Sequence, residues 1–332
     1  MIIILTDNSD QTTNDVIGWL KQKKETLIRI NIEDFLNYSS SLIISNSTIE
    51  YKLKTKQSNI LQFKNLNLEQ KSKIKIWFRR WGDTKLLNIS CQTESLNYQI
   101  SEFLQSQLDE YKLVFFNQIN KSNWLNHLEN MNLKKIDVLQ KAASVGLKIP
   151  NTLITNKKAD VLNFLKINPI IITKTIGDTQ FFIENDKTYG LYTSLITKED
   201  LQQMPINFFP TMFQEYIDKV YELRIFFLNK TFYSMAIFSQ NNDKTKVDFR
   251  QYDNDFPNRN VPYIIPLNLQ KKLLMLCKDL NLNCCSFDFI KSKQHDYIFL
   301  EVNPVGQFGM VSYPCNYYLE EKIANYLTKN KK

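Results

Sequence analysis

Apolar residues recur along the start of the chain with two different periods, which predict strands and helices in alternation. Residues 2–5 are four consecutive apolar residues, and they predict a buried strand that opens an α/β layer. The other elements predicted in this part are a helix at 15–23, a strand at 26–32, short strands within 41–62, a strand at 74–81 and a helix at 95–117. This alternation predicts an N-terminal domain of the α/β class.

Two further groups of elements follow. In the first group, the helix at 133–145 carries an apolar stripe of Ile136, Leu139 and Ala143, and Gly146 ends it. Strands are then predicted at 151–155, 170–175 and 180–184. The last group has strands at 211–217, 221–228, 231–239, 285–290 and 297–303, a polar loop at 240–260, and helices at 269–280 and 317–327. These groups predict a small α+β lobe and a larger C-terminal one.

The composition narrows the classes of function. The 332 residues include only 7 glycines and no glycine-rich nucleotide-binding fingerprint, so any phosphates would be held by side chains. The formal net charge of +8 allows an anionic partner, but no basic block is interleaved with aromatic residues, which argues against nucleic-acid binding. No apolar run approaches the ~20 residues of a membrane-spanning helix. A soluble cytoplasmic protein without a membrane partner is expected.

Cysteine and histidine usage argues against a zinc site. The 5 cysteines, which include Cys91, are odd in number and contain no Cys-x-x-Cys pair, so a disulfide framework has no support either. The 2 histidines, His127 and His295, sit among polar residues and are predicted to be solvated.

Two carboxylates and an amide fall on facing strands of a predicted β-hairpin. If the hairpin folds about Gln294 and His295, Asp288 lies opposite Glu301. Glu301 and Asn303 are two residues apart on a strand, so they share one face. Their oxygens would repel one another without a cation, and all-oxygen ligands suit Mg²⁺. A polar face on an edge hairpin would explain the same pattern.

A second polar pair lies on the strand at 221–228. Alternation places Glu222 and Arg224 on one face of this strand, where an ion pair between neighbours would be the simplest explanation. The order of polar residues along the chain indicates a larger site. That order is Lys135, Lys174, Gln214, Glu215, Tyr216, Ile217, Glu222, Arg224, Asp288, Glu301, Asn303 and Pro304.

This order and spacing resemble the ATP-grasp superfamily of carboxylate–amine and carboxylate–alcohol ligases, over residues 135–327. The resemblance implies an α/β (α+β) chain with the ATP-grasp fold and with ATP and Mg²⁺ as cofactors. The implied domains are a pre-ATP-grasp domain at 1–122, a central ATP-grasp lobe at 123–212 and a C-terminal ATP-grasp lobe at 213–332.

The resemblance also implies a role for each matching residue. The roles are phosphate binding by Lys135 and Lys174, adenine binding by the backbone of Gln214, Glu215, Tyr216 and Ile217, ribose binding by Glu222, and magnesium coordination by Asp288, Glu301 and Asn303. Lysine suits phosphate binding because it is a point charge that tolerates varied geometry. One departure from the superfamily is that only Gly177 follows Lys174, where many members have a glycine-rich loop.

Within the superfamily, several features are similar to the synthetases of ω-ester-linked peptides, the graspetides of microviridin type. They are the pattern from Lys135 through Gly146 and Pro150 to Asn156, the strand around Lys174, the pair Arg79 and Arg80, and the segment from Glu301 to Gln307. Enzymes of that family join Asp or Glu side chains of a ribosomal precursor peptide to Thr, Ser or Lys side chains of the same peptide. The resemblance therefore implies carboxylate activation as an acyl phosphate, attack by a hydroxyl or amine, and release of ADP and phosphate.

Several cationic residues are candidates for binding the reacting groups. Arg224 is the candidate for the γ-phosphate and the acyl phosphate, together with Lys174, because a guanidinium fork binds oxyanions in bidentate fashion. Arg250 is a second candidate, with a solvated loop charge as the alternative. Arg79 and Arg80 are candidates for receiving an acidic peptide, with surface solubility as their alternative role.

Other functions use the same nucleotide site. They are a glutamate-adding amino-acid ligase, a small-molecule kinase, and a nucleotide-binding module without chemistry. The complete acidic set and both lysines argue against the last of these. The resemblance also allows a homodimer.

Overall fold

A computed structural model of the chain describes residues 1–57, 59–65, 68–81, 93–114, 116, 119–177, 181–185, 187–242, 244–250 and 253–328. Cys91 and the end of the helix predicted at 95–117 lie outside the described residues. The chain forms two compact units, one of Met1–Met131 with Tyr318–Lys332 and one of Asn132–Tyr317. No helix in these described ranges is long and apolar enough to cross a membrane.

The N-terminal unit is built on two small sheets. Its elements are β1 (Ile2–Leu5), α1 (Gln11–Gln22), β2 (Leu27–Ile30), α2 (Asp34–Asn37), β3 (Ser40–Ile44), β4 (Ile49–Lys54), β5 (Ile60–Lys64), α3 (Leu68–Ser72), β6 (Lys75–Phe78) and α4 (Glu94–Val114), with 3₁₀ turns at Lys121–Asn123 and Leu128–Asn130. One sheet is parallel with strand order β2-β1-β6, and the other is antiparallel with order β3-β4-β5. Every residue of β1 is buried, which agrees with its uninterrupted apolar sequence.

The second unit begins with a four-stranded antiparallel sheet of order β11-β8-β12-β7. The elements of this part are α5 (Lys135–Ser144), β7 (Thr152–Lys157), α6 (Lys158–Ile167), β8 (Ile171–Lys174), β9 (Phe181–Glu184), β10 (Lys187–Gly190), β11 (Ser194–Leu195), α7 (Lys198–Gln203) and β12 (Asn207–Glu215). Strands β9 and β10 pair as a separate hairpin. Helix α6 packs on the sheet through Val161, which is buried with Ile171 and Phe213.

A five-stranded antiparallel sheet of order β15-β14-β13-β16-β17 completes the second unit. Its elements are β13 (Lys219–Leu228), β14 (Thr231–Phe238), β15 (Arg259–Tyr263), α8 (Leu267–Asp279), β16 (Cys284–Ser292), β17 (Tyr297–Asn303) and α9 (Gly309–Cys315). Leu223, Ile225 and Phe227 join the core formed with α5 and α8, as the alternation of β13 predicts. The polar residues of β13 that alternate with them lie on the opposite face of the sheet.

The closing helix α10 (Leu319–Thr328) belongs to the N-terminal unit, where its buried face packs on α1. The sequence-based division instead groups residues 213–332 in one lobe. The closing helix is amphipathic, and such a helix can bury its apolar stripe against any complementary surface, so sequence order does not determine its location. The domain boundaries at 122/123 and 212/213 stay predictions.

Two local expectations about burial are wrong. Helix α5 buries Val138, Leu139 and Ala142, whereas Ile136 is 37% exposed, so the buried stripe is rotated from the predicted one. His127 is only 6% exposed, and its Nδ1 accepts a hydrogen bond from the N–H of Glu129. Burial lowers the pKa of His127, so this residue is a buried neutral imidazole and not a solvated one.

Candidate active site

The β16–β17 hairpin places the two predicted carboxylates opposite each other. Asp288 pairs in register with Glu301, which confirms the expected pairing. His295 lies in the turn and has the left-handed φ of +63°. The Oδ1 atom of Asn303 accepts a hydrogen bond from the N–H of Val305 at 3.0 Å. One lone pair of the Asn303 amide oxygen is therefore used locally.

An irregularity in β17 changes which residues reach the site. The register shifts between Asp288 and Phe289, so that Leu300 is an extra residue between the partners Phe299 and Glu301. Such a bulge redirects neighbouring side chains. Leu300 and Glu301, although adjacent in sequence, both line one pocket, while Phe299 is fully buried in the core.

Arg224 on β13 pairs with Asp288 across the sheet. Its Nη1 atom lies 2.6 Å from both Asp288 oxygens, and the two residues are 4% and 7% exposed. Burial raises the pKa of Asp288, and the guanidinium opposes that shift. The predicted alternative of an ion pair with Glu222 is wrong, because Arg224 is bound to the neighbouring strand instead.

Glu222 has its own ion pair within the site. Its Oε1 accepts a hydrogen bond from the Nζ of Lys219 at 2.5 Å, and its Oε2 accepts one from the hydroxyl of Ser239 at 2.5 Å. Lys219 also donates to the backbone oxygen of Val247 at 3.0 Å. Burial raises the pKa of Glu222, although the ammonium of Lys219 favours the ionised form. This buried pair connects β13 to the loop that follows β14.

Two lysines from the first half of the unit line the same pocket as Glu301. Lys174 ends β8, and Lys135 begins α5 and donates to the backbone oxygen of Gly177 at 2.6 Å. Burial lowers the pKa of Lys174, while the carboxylate of Glu301 counteracts this effect. The structure thus brings together both of the predicted phosphate-binding lysines.

Arg250 approaches Glu301 from the polar loop. Its Nε and Nη2 atoms donate to the two oxygens of Asp248 at 2.8 and 2.7 Å, and its Nη1 lies 3.7 Å from Glu301 Oε1. The hydrogen bond to Asp248 raises the pKa of Arg250. Burial disfavours the ionised form of Glu301, but the charges of Arg250, Lys174, Lys135 and Arg224 together lower its pKa. Glu301 is therefore an ionised acid held among cations.

The predicted hinge lines the same pocket. Gln214 is buried and donates through Nε2 to Thr152 at 2.8 Å, while both oxygens of Glu215 accept hydrogen bonds from Asn151 at 2.9 and 3.0 Å. The hinge residues line the pocket together with Pro150, Ile172 and Leu300. The lining therefore combines the hinge and apolar side chains with the charged side chains of the hairpin, the two lysines and Arg250.

The remaining predicted residues, Arg79 and Arg80, belong to the N-terminal unit. Arg79 is 1% exposed, and its Nε donates to Asp10 at 3.2 Å, whereas Arg80 is exposed. Burial disfavours the ionised form of Asp10, but Arg79, the hydrogen bonds from Thr12 and Thr13, and Arg80 together lower the pKa of this carboxyl. Arg79 therefore has a structural partner, and the expectation of surface solubility is wrong for it.

Two residues of the pocket were missed from the sequence. Lys219 is three residues from Glu222, and strict alternation would place them on opposite faces, but a register shift between Lys219 and Tyr221 brings them together. Asp248 could have been found from the sequence. It lies two residues before Arg250, and an aspartate at this spacing can bind the backbone and side chain of the arginine within a turn.

No protein-family model matches the sequence, and no curated protein matches it. The fold is similar to that of solved ATP-grasp enzymes. A Chryseobacterium gregarium RiPP-associated ATP-grasp ligase in complex with ADP and a leader and core peptide is 20% identical with a TM-score of 0.84, covering 100% of this chain and 97% of that one. The macrocyclase MdnC of Microcystis aeruginosa MRC, bound with precursor peptide MdnA, is 24% identical with a TM-score of 0.79, covering 98% of each chain.

The similarity extends to an ATP-grasp ligase solved with a metal. PsnB complexed with minimal precursor, Mg and ADP is 15% identical with a TM-score of 0.75, covering 100% of this chain and 97% of that one. At these sequence identities, the similarity shows the fold of the chain. The chain has the ATP-grasp fold along its whole length, which confirms the α+β fold class expected from the sequence.

Proposed function

We propose that this protein is an ATP-dependent ligase that activates Asp or Glu side-chain carboxylates of a ribosomal precursor peptide as acyl phosphates. It then joins them to Thr or Ser hydroxyls, or to Lys amines, to close macrocyclic ester or amide links. The observation that carries the proposal is one pocket lined both by the hinge with apolar side chains and by facing cations and carboxylates. The solved ligases of the same fold were crystallised with ADP and peptides, which supports the same substrates here.

The pocket offers a place for each part of ATP. The backbone of the hinge and the apolar residues beside it suit a flat base, and Glu222 suits the ribose hydroxyls because its oxygens retain lone pairs. Lys135 and Lys174 suit the phosphates, since both are ammonium groups that line the pocket. Arg250, already aligned by Asp248, suits the transferred phosphate.

The residues present fit a divalent cation. Glu301 has a lowered pKa and faces Asp288, so an ionised oxygen ligand is available at neutral pH. Within the ranges that the structure describes, no three His, Cys, Asp or Glu side chains form a metal-binding group. The third proposed ligand is the amide of Asn303, whose oxygen retains one lone pair beside the one used by the N–H of Val305. Bound Mg²⁺ would neutralise phosphate charge during transfer.

The proposed reaction depends on positioning and charge neutralisation. A substrate carboxylate attacks the γ-phosphorus of ATP and forms an acyl phosphate with release of ADP, and the acceptor hydroxyl then displaces phosphate. Lys174 and Arg250 line the pocket where negative charge would grow. Arg224 holds Asp288 in place, and we keep it as a proposed catalytic residue because its Nε has no partner among the described residues.

The test is the mass change of a peptide. The protein would be incubated with ATP, Mg²⁺ and a Thr- and Glu/Asp-rich peptide encoded beside its gene, and each link closed should lower the peptide mass by about 18 Da. Glu301→Gln and Lys174→Ala should each slow this dehydration by about 100-fold or more, because the first removes a proposed magnesium ligand and the second removes a proposed phosphate-binding cation. Lys198→Ala, on the N-terminal turn of α7, is the matched control.

The products separate the competing functions. A peptide that gains the mass of a phosphate would favour a kinase, and one that gains an amino-acid residue would favour the glutamate-adding ligase. ADP release from Glu301→Gln at the rate of the unsubstituted protein would refute the metal assignment.

A further inference from the structure

The positive charge of the chain is concentrated in one stretch of the N-terminal unit. Residues 51–80 contain 9 of the 42 Lys and Arg residues but only one of the 34 Asp and Glu residues, Glu69, so this stretch accounts for the whole formal net charge of +8. It holds most of β4 and all of β5, α3 and β6. The described residues of this stretch do not line the pocket of the proposed active site. Binding of ATP therefore does not account for this concentration of charge.

Part of this charge lies on the outer face of the sheet β3-β4-β5. The alternate residues of β4 are buried in the core, so Lys52 and Lys54 lie on the opposite face, where both are exposed. The strand register places Lys64 of β5 on this face as well, where its Nζ lies 3.9 Å from its cross-strand partner Glu50. Lys52 and Lys54 have no acidic partner among the residues that the structure describes. The face therefore carries two positive charges that no described acid compensates.

Strand β5 also forms a free edge of this sheet. In the described part of the chain, β5 pairs with β4 alone. The N–H of Asn65, directly after β5, donates to the backbone oxygen of Ile49 at 2.9 Å, and such bonds recur at every second residue of an antiparallel ladder. The backbone groups of Phe63 therefore face β4, whereas those of Gln62 and Lys64 point away from it. Outward-pointing groups of this kind are the ones that an added strand binds.

A groove lies along this edge. Its lining comes from β5, from α3 and the turn after it, and from the residue before β1: Met1, Gln62, Phe63, Lys64, Gln70, Lys73 and Ile74. Both residues with outward-pointing backbone groups, Gln62 and Lys64, belong to this lining. An extended peptide in the groove would lie about 4.8 Å from β5 and would continue the ladder of the sheet.

We propose that the free edge of β5, together with the side chains of Lys52, Lys54 and Lys64, binds an acidic, extended segment of the precursor peptide. The segment adds as a strand beside β5, with main-chain hydrogen bonds to Gln62 and Lys64 and with alternate carboxylates on the face that carries the lysines. The identity of this peptide rests on the proposed function. The docking surface lies outside the pocket where the links would form, so it binds the peptide without taking part in the chemistry.

The composition of this surface favours an acidic peptide over other partners. The residues that the register places on the outer face are Ser41, Ile43, Glu50, Lys52, Lys54, Ile60, Gln62 and Lys64. No aromatic side chain is among them, whereas proteins that bind single-stranded nucleic acid stack the bases on aromatic rings. A second copy of the chain, pairing through the same edge, would place like charges against one another. The opposite edge strand, Ser40–Ile44, has no charged residue and offers no comparable attraction for acids.

The main-chain contact is tested with synthetic peptides. The full-length protein would be titrated, by fluorescence anisotropy, with a labelled peptide of alternating Glu and Val residues and with one of alternating Lys and Val residues. We expect only the acidic peptide to bind. Gln62→Pro removes an N–H that faces away from β4, a position where edge strands accept proline, and should weaken this binding by about 10-fold. Gln62→Thr keeps the N–H and is the matched control, with the affinity of the unsubstituted protein.

The charge of the surface is tested without altering the backbone. The double variant Lys52→Gln with Lys54→Gln should weaken binding of the acidic peptide by about 10-fold at about 20 mM salt and by less than about 2-fold at about 500 mM, because salt screens exposed charges. Lys271→Gln with Lys278→Gln, which removes two exposed lysines of α8, should leave the affinity unchanged. Circular dichroism would establish that each variant is folded.

In the dehydration assay, Gln62→Pro and the Lys52/Lys54 variant should raise KM for the precursor peptide and leave kcat unchanged, because the surface lies outside the pocket. An acidic peptide that does not bind, or that binds these variants as tightly as the unsubstituted protein, would overturn the assignment. So would a single-stranded oligonucleotide that binds more tightly than the peptide, or a dimer that Gln62→Pro dissociates. If the unsubstituted protein binds the acidic peptide but dehydrates no precursor, the proposed function fails while the docking surface stands, since the binding assay contains no ATP.

Discussion

Replacing Lys219 with methionine tests the buried ion pair that joins β13 to the polar loop. The side chains of Lys219 and Glu222 are 2% and 6% exposed, and Lys219 binds both Glu222 and the backbone oxygen of Val247. Lys219→Met keeps most of the aliphatic volume but removes all of these bonds. The carboxylate of Glu222 would then remain buried with only the hydroxyl of Ser239 as a described partner.

The expected loss of stability is large because the buried carboxylate of Glu222 is left without a cation. Removing one partner of a buried pair lowers the free energy of unfolding by about 3–5 kcal/mol. Burial already raises the pKa of Glu222, so the folded state binds a proton more readily than the unfolded state. The contribution of Glu222 to stability therefore falls as the pH rises from the pKa of Glu222 in the unfolded state through its pKa in the folded state. This contribution returns on acidification. Without Lys219 the pKa of Glu222 should rise further, so the deficit of the variant should shrink towards about pH 5.

Urea unfolding followed by circular dichroism at about pH 7.5 and about pH 5 would measure both effects. The double variant Lys219→Met with Glu222→Gln removes the orphaned charge and should recover part of the loss at the higher pH. Lys293→Met is the matched control, because Lys293 and Asp218 form an exposed pair, with side chains 62% and 58% exposed, worth less than about 1 kcal/mol. A Lys219→Met variant as stable as the unsubstituted protein at both pH values would refute this reasoning.

Two further predictions concern the N-terminal unit, which contains all 4 tryptophans and so can be followed by their fluorescence. Arg79→Met should destabilise this unit by about 3–5 kcal/mol, because the substitution leaves Asp10 buried without the guanidinium that pairs with it. Arg80 is exposed, so Arg80→Met should have little effect. Equal effects of the two substitutions would contradict the pairing of Arg79 with Asp10. The lowered pKa of His127 means that the unfolded state binds more protons below about pH 6.5, so stability should fall on acidification through that window. His127→Asn, which keeps an acceptor for Glu129, should flatten this slope, and an unchanged slope would rule out His127 as its source.

Helices and strands with a clear pattern of apolar residues could be predicted from the sequence. Elements without a capping residue or a turn residue at their ends could not. Strand β1 has the predicted bounds, since a run of four apolar residues has few alternatives. Helix α6 was missed because it follows β7 directly and its N-cap, Lys157, makes no capping hydrogen bond. The sequence does not predict strand β15, because Arg259 and Pro262 interrupt its apolar pattern, as is typical of an edge strand.

The pairing of Asp288 with Glu301 was predicted correctly, but the geometry behind it differs from the one assumed. A turn centred between Gln294 and His295 would pair the two acids in an unbroken ladder. In the structure Ile290 pairs with Ile298, so an unbroken ladder would pair Asp288 with Leu300. The bulge at Leu300 restores the pairing with Glu301. Such a compensation between turn and bulge cannot be read from a pattern of period two.

Two irregular positions of the five-stranded sheet lie beside Glu222 and Glu301, two of the acids that line the pocket. A regular strand presents every second side chain to one face, and an irregular position changes which side chains share that face. The bulge in β17 presents Leu300 to the pocket together with Glu301, and the shift at Lys219 allows a lysine three residues away to reach Glu222. In the five-stranded sheet, the departures from alternation therefore occur beside two acids of the proposed site, one next to an apolar side chain and one next to a cation.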